Sequence, residues 1–324
     1  MRVLVAGATG YIGSRLIPAL LEHGHAVVAT ARDTDALASY AWGESVTTRH
    51  LDVEDTVSVH LAIRDVDAVV YLVHSMGAGE FVNRDREAAE YVVAACAYAG
   101  VGRIVYLSGI VPEGELSDHL RSRLEVEELL LAGPTPATVL RASMVIGAGS
   151  LSFEVLRRVS DRLPVSAVPL WMNRRIQPIA VSDVVALIAA ALVGEPRNRH
   201  YDVGGDEVVS YAELLARYAK AAGVSRPHVP VLFAPTVLVG EAVAALTGVP
   251  RSTVKALVKS LSHDMVCAER DVRRELLPGR TYLGIDEAIE RSLAGGRDAT
   301  ALDGDVQGEA ESDPGWVGTT WRLT

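Results

Sequence analysis

The stretch Arg2-Val3-Leu4-Val5-Ala6-Gly7-Ala8-Thr9-Gly10-Tyr11-Ile12-Gly13 passes from a mainly apolar run into three glycines spaced GxxGxxG, after which apolar residues recur at helical spacing as far as Gly24. A buried strand, a tight turn and a helix account for that order. Each glycine has a separate task there. Gly7 lets the chain turn sharply out of the strand, Gly10 lets the backbone approach a pyrophosphate, and Gly13 lets the helix pack closely on the sheet. The helix start beyond the turn offers unpaired N–H groups and the positive end of its dipole, both suited to phosphate. A dinucleotide at this turn is the expectation, with Thr9, Tyr11 and Ile12 beside the glycines as contacts.

Outward from this unit the pattern repeats. Short apolar runs at 2–6, 26–31, 46–51, 68–73, 103–108 and 137–145 alternate with helical patterns at 12–23, 56–64, 84–99 and 120–131. Runs that are apolar almost throughout, such as Ala68-Val69-Val70-Tyr71-Leu72-Val73, belong in a parallel sheet covered on both faces. The fold class is α/β, a Rossmann-type doubly wound parallel sheet with a small, mainly helical C-terminal substrate lobe. Residues 1–148 make the NAD(P)-binding domain, to which 176–205 return through a helix at 182–193 and a strand at 199–203. Residues 149–175 and 206–294 make the substrate lobe, and 295–324 read as a mobile acidic tail.

Composition narrows the partners. With 324 residues, 49% of them hydrophobic, the chain buries a sizeable core. A net charge of −10 offers no broad positive field, so a small molecule is expected rather than nucleic acid. Two cysteines, Cys96 and Cys267, show neither disulfide nor zinc spacing, which suits a cytoplasmic location. The apolar stretch at 231–249 contains Pro235 and Glu241, so no stable membrane insertion is expected. A homo-oligomer is compatible with all of this.

The second strand ends Ala29-Thr30-Ala31-Arg32-Asp33. An arginine at this position accommodates the 2′-phosphate of NADP, whereas an acidic residue bonds the ribose of NAD. Thr30 and Arg32 favour NADP(H), with NAD(H) possible if Asp33 takes the ribose instead. Asp52 and Val53 after the third strand, and Val73 after the fourth, complete the expected cofactor contacts; Asp52 can equally cap the next helix.

Together, Gly7-Ala8-Thr9-Gly10-Tyr11-Ile12-Gly13, Leu51-Asp52-Val53 and Tyr106-Leu107-Ser108 resemble the short-chain dehydrogenase/reductase superfamily. Leu140-Arg141-Ala142-Ser143-Met144-Val145-Ile146-Gly147, Pro178-Ile179-Ala180-Val181-Ser182-Asp183-Val184 and Tyr201-Asp202-Val203-Gly204-Gly205 extend the likeness to its atypical and extended members, across roughly residues 1–294. The resemblance implies that Ala142, Ser143 and Met144 flank a nicotinamide and that Ser108 is the catalytic serine. It also implies a Tyr-x-x-x-Lys on the following helix, and here the sequence departs: His119 stands at the tyrosine position and Arg123 at the lysine position. Four residues apart on a helix, they share one face. A histidine of ordinary pKa, about 6.5, can act as general acid, while arginine is a poor proton relay. Alternatively, His119 is a helix-start residue and Arg123 pairs with Glu127. His74, at the end of the fourth strand, and Arg141 are further substrate-contact candidates.

Three functions fit. The first is an NADP(H)-dependent oxidoreductase acting on a carbonyl or hydroxyl of a partly apolar substrate, with His119 and Ser108 assisting proton transfer. The second is a non-catalytic NADP(H)-binding redox sensor or assembly factor, similar to NmrA-type proteins. The third is a nucleotide-sugar epimerase or dehydratase. The segment Asp313-Pro314-Gly315-Trp316-Val317-Gly318 resembles one that leads into a second domain in longer relatives.

Overall fold

The computed structural model describes residues 1–74, 81–162, 166–224, 228–231, 241, 244, 262–294, 306–310, 313 and 317. Strand β1 (Arg2–Ala6) leads through the glycine turn into helix α1 (Tyr11–Glu22), followed by β2 (Ala26–Ala31), β3 (Thr47–His50), α2 (Thr56–Ile63) and β4 (Ala68–Tyr71). Then come α3 (Phe81–Ala99), β5 (Arg103–Gly109), α4 (Asp118–Ala132) and β6 (Ala137–Ala142). The short strands β7 (Val145–Ile146), β8 (Ser166–Pro169), β9 (Arg175–Ile176) and β10 (Ile179–Ala180) surround α5 (Leu151–Arg162) and precede α6 (Val181–Ala191). Strand β11 (Arg199–Val203) is followed by β12 (Val209–Ser210), α7 (Tyr211–Ala221), β13 (His228–Val231), α8 (Asp271–Leu276) and α9 (Ile285–Leu293). Of the apolar stretch at 231–249, all but Val231, Glu241 and Ala244 lies outside the described residues.

The main sheet has seven strands in the order β11-β6-β5-β4-β1-β2-β3, every neighbouring pair parallel. The chain winds from β1 outward to β3, then crosses back to β4 on the other side of β1. This reversal opens a crevice at the carboxyl ends of β1 and β4, the usual ligand position in open α/β sheets. Ala6 of β1 is level with Tyr71 of β4, and Tyr71 with Tyr106 of β5, so Gly7 and Leu72 leave the sheet beside Leu107, where β5 continues to Gly109 along β6.

Both faces of the sheet are covered, as its apolar strands require. One core packs Leu16, Ile17 and Leu20 of α1 with Val184, Leu187 and Ile188 of α6 against β1, β2 and β6. The other packs Val59, Ala62, Val92, Cys96, Val126 and Leu130 of α2, α3 and α4 against the opposite face. A third core joins Phe153, Tyr218, Leu214, Met265, Ile285 and Ile289, from the segments expected to form the C-terminal lobe, with Ile110, Leu120 and Ile146 of the first half. Helix α8 behaves differently from the rest of that lobe: Val272, with Tyr282 after it, joins the core of the first face. Among the described residues, no helix is long and apolar enough to cross a membrane.

Within the expected tail, residues 306–310 and 313 make specific contacts with the rest of the chain. The Gln307 side chain is fully buried; its amide donates to the Ile146 carbonyl at 2.7 Å and to Ser292 Oγ at 3.0 Å. Asp313 bonds Arg15 of α1 through both oxygens, at 2.8 and 2.6 Å, and both side chains are almost fully shielded from solvent. Arg15 also donates to the carbonyls of Ala148, Val306 and Gly308, so this segment ties α1 to the loop after β7.

Candidate dinucleotide and active site

The glycine turn has the geometry its sequence demands. Gly7 has φ +92°, a left-handed conformation costly for any residue with a Cβ. A Cβ on Gly13 would lie 2.2 Å from the Gly7 carbonyl oxygen, so helix and turn approach as closely as a bare backbone allows. Gly10 is the N-cap of α1 and supplies no side-chain acceptor, which leaves the first N–H groups of the helix uncapped by the protein's own side chains. Thr9 is exposed on the turn, and Tyr11 and Ile12 are half-buried behind it.

Two aromatic residues that the sequence reading missed brace this turn. Tyr40 donates its hydroxyl to the Thr9 carbonyl at 3.0 Å, Trp42 Nε1 donates to the Ser14 carbonyl at 3.1 Å, and the two rings stack at 4.6 Å. They follow β2 in irregular chain, where neither strand nor helix periodicity marks them. Arg15 adds a third brace, its guanidinium 4.2 Å above the Tyr11 ring.

At the end of β2, Arg32 is exposed while Thr30 is buried, its hydroxyl donating to the Val5 carbonyl at 2.9 Å. The Thr30 hydroxyl therefore serves the sheet, whereas the sequence reading set Thr30 beside Arg32 as a cofactor contact. Asp33 accepts the Asp35 N–H at 3.0 Å, ordering the next turn. Asp52 Oδ1 accepts the Glu54 N–H at 3.1 Å, a local turn bond that leaves its other oxygen for a ligand, and Val53 and Val73 lie at the edge of the second core.

Further along, the expected nicotinamide neighbours divide. Ala142 is nearly buried, and Met144 packs on the C-terminal lobe. Ser143 turns its hydroxyl to the Met265 carbonyl at 3.1 Å and donates its N–H to Val203 at 2.9 Å, so its polar groups serve the link between lobes. Arg141 likewise has a partner within the fold: its guanidinium holds Glu127 through Nε at 3.0 Å to both carboxylate oxygens and Nη2 at 2.6 Å. That pair commits Glu127 to Arg141 rather than to Arg123.

Ser108, His119, Arg123 and His74 gather where β4 and β5 end. Ser117 caps α4 by accepting the Leu120 N–H, which sets His119 in the first turn and Arg123 one turn on. Arg123 Nη2 donates to the Leu107 carbonyl at 2.7 Å, so the guanidinium reaches the strand residue next to Ser108. A Cβ on Gly109, the residue on the other side, would be 3.7 Å from Arg123 Nε. The His119 and His74 rings are 6.1 Å apart, and His74 is exposed. Tyr106, two residues before Ser108, is 1% exposed and belongs to the core. The Ser108 hydroxyl lies toward that of Tyr106 without forming a bond of good geometry.

Burial and then the Arg123 cation push the His119 pKa down to about 4. Its imidazole is neutral at pH 7, which corrects the expectation of a general acid with an ordinary histidine pKa. It can donate or accept one hydrogen bond, and its proton-donating form is scarce.

Residues 7–144 match a family model described as NAD(P)H-binding. An uncharacterized protein of Mycobacterium tuberculosis is 27% identical over 71% of this chain, which spans only 24% of that relative's length. A 3-diazoavenalumate denitrifying reductase from Streptomyces sp is 27% identical, with 74% of this chain and 87% of the relative covered. Two solved structures share the fold. The triphenylmethane reductase of Citrobacter sp., complexed with NADP(H), has a TM-score of 0.70 and 20% identity over 89% of this chain and 98% of its own. The NADPH-dependent quinone oxidoreductase of Escherichia coli has a TM-score of 0.71 and 18% identity over 89% and 98%. With its glycine turn, switch-point crevice and matched residues 7–144, the chain carries an NAD(P)H-binding domain of Rossmann type.

Proposed function

We propose that this protein is an NADP(H)-dependent reductase of a small, partly apolar carbonyl compound. The observation that carries the reading is the convergence of Ser108, His119 and Arg123 at the end of β5, beside the crevice that begins at Gly7. The uncapped start of α1 and the glycines with no room for a Cβ fit a pyrophosphate, and exposed Arg32 fits a 2′-phosphate. Bound there, a reduced nicotinamide supplies a hydride. The chain's own residues do the remaining work: Tyr40 and Trp42 hold the phosphate turn in shape, Arg123 and Ser108 present donors to the substrate oxygen, and His119 orients the substrate as a neutral imidazole. The reductase names among the similar proteins lend support.

A second reading, a non-catalytic NADP(H) sensor, is favoured by the low pKa of His119 beside an arginine that cannot relay protons. One experiment separates them: calorimetric titration with NADPH and NADH, then NADPH oxidation across aldehydes, ketones and quinones. Turnover of an acceptor establishes the reductase. Tight NADPH binding without oxidation of any acceptor moves the assignment to the sensor, and failure to bind either nucleotide refutes both. Arg32→Ala is expected to lower NADPH affinity about tenfold and leave NADH affinity unchanged, on the scale of about 1.4 kcal/mol for one charge-assisted contact.

A further inference from the structure

Two donors at the end of β5 are left unused by the fold. Among the described residues, Ser108 Oγ is buried and makes no hydrogen bond; Arg123 Nε is also buried and unpartnered, although Nη2 of the same guanidinium is engaged with Leu107. A buried donor without a partner is costly, and two at the end of the same strand, one on Ser108 and one on an arginine bonded to the neighbouring Leu107, mark a place where a ligand atom completes the bonding. The Nη2 bond fixes the arginine, so Nε is presented in a set direction. Gly109 keeps the space next to it clear, since a side chain there would begin 3.7 Å from Nε.

Deepening the reductase reading, on which it rests, we propose that Ser108 and Arg123 form an oxyanion site for a conjugated carbonyl compound, a quinone or enone, whose reduction leaves a delocalised phenolate or enolate. In the step, hydride from a bound reduced nicotinamide would add to the β carbon of an enone, or to the far carbonyl oxygen of a quinone, whose own C=O π pair then joins the shift. The C=C pair shifts toward the carbonyl, the C=O π pair moves onto oxygen, and oxidised nicotinamide is left behind. Water later supplies the proton. Oxygen basicity selects this class. A saturated ketone would become an alkoxide almost as basic as hydroxide, the conjugate base of water with a pKa of about 15.7, and needs a proton as the hydride arrives. A phenol-like oxygen, with a pKa of about 10, persists as an anion beside a fixed cation. Arg123 gives hydrogen bonds and charge but no proton. Neutral His119, held at a pKa of about 4, is consistent with the same division of labour.

4-Nitrophenol tests the site without turnover, because its ionised form is coloured. Titrated into the protein holding NADP⁺, it is expected to bind as the phenolate with a lowered apparent pKa. Arg123→Gln should weaken binding at least tenfold and abolish the pKa shift, Ser108→Ala should weaken it severalfold, and Arg123→Lys should restore part of the shift. Unchanged NADP⁺ affinity and melting temperature in Arg123→Gln and Ser108→Ala show that these variants fold. Binding of the neutral phenol, or binding indifferent to Arg123→Gln, overturns the proposal. A parallel acceptor scan separates the two levels. NADPH oxidation by saturated aldehydes in preference to quinones and enones refutes the oxyanion site while the reductase stands. Arg123-dependent phenolate binding with no acceptor reduced supports the site and removes the reductase reading.

Discussion

Replacement of His119 by glutamine should flatten the acid limb of this protein's stability profile. Burial and the Arg123 cation hold the folded-state pKa at about 4 against an ordinary value of 6.5. Above pH 6.5 both folded and unfolded chains carry the neutral ring, and the histidine adds no pH dependence. As the pH falls below 6.5 the unfolded chain binds a proton that the folded chain refuses, so stability is lost progressively until the folded pKa is reached. At pH 5 the loss attributable to this residue is about 2 kcal/mol, approaching an upper figure of about 3 kcal/mol at still lower pH, since His119 is only half-buried. Urea unfolding of wild type and His119→Gln at pH 7.5 and pH 5 isolates the term, because other titrating groups cancel in the double difference. Equal losses in the two proteins would refute the reasoning, and an imidazole that titrates near 6.5 by NMR would do so directly.

Gly13→Ala forces a methyl group against the Gly7 carbonyl and should cost about 1–3 kcal/mol by overpacking, with loss of the melting-temperature increase that NADPH gives the wild type. Asp313→Ala strands the buried Arg15 cation; the four carbonyls it keeps, of Tyr11, Ala148, Val306 and Gly308, reduce the penalty to about 3 kcal/mol, at the lower end for a broken buried pair, measurable by urea unfolding. Arg141→Met leaves Glu127 buried without its cation and should cost about 3 kcal/mol while NADPH affinity stays within twofold; a large affinity loss would place Arg141 in the binding site.

The sheet and the cofactor turn were legible in the sequence because both are local. The glycine spacing sits between a strand and a helix, and period and apolar runs placed the main strands within a few residues. Side-chain commitments made across the fold were not legible. Arg141 and Glu127 are 14 residues apart and meet only because α4 packs against β6. Thr30 and Ser143 look like ligand contacts in sequence, yet their hydroxyls answer carbonyls of Val5 and Met265 on neighbouring segments. His119 and Arg123 were placed correctly on one helix face, but the histidine's charge state depends on burial that no spacing encodes. The contacts of Gln307 and Asp313 were hidden for a similar reason: both lie in aperiodic, polar sequence, and their partners are distant in the chain.

The Arg15–Asp313 bond spans 298 residues of chain, which orders events during synthesis. At about 5–20 residues per second, roughly 15–60 s pass between the making of the first helix and the making of its counter-ion. The cofactor-binding half must meanwhile keep an arginine wet, or leave its seat under the Ala148 loop open. Final closure of the nucleotide turn is therefore a late folding event. A ribosome-bound chain ending before residue 306 is expected to show the β1–β6 sheet formed while α1 still exchanges its amide protons.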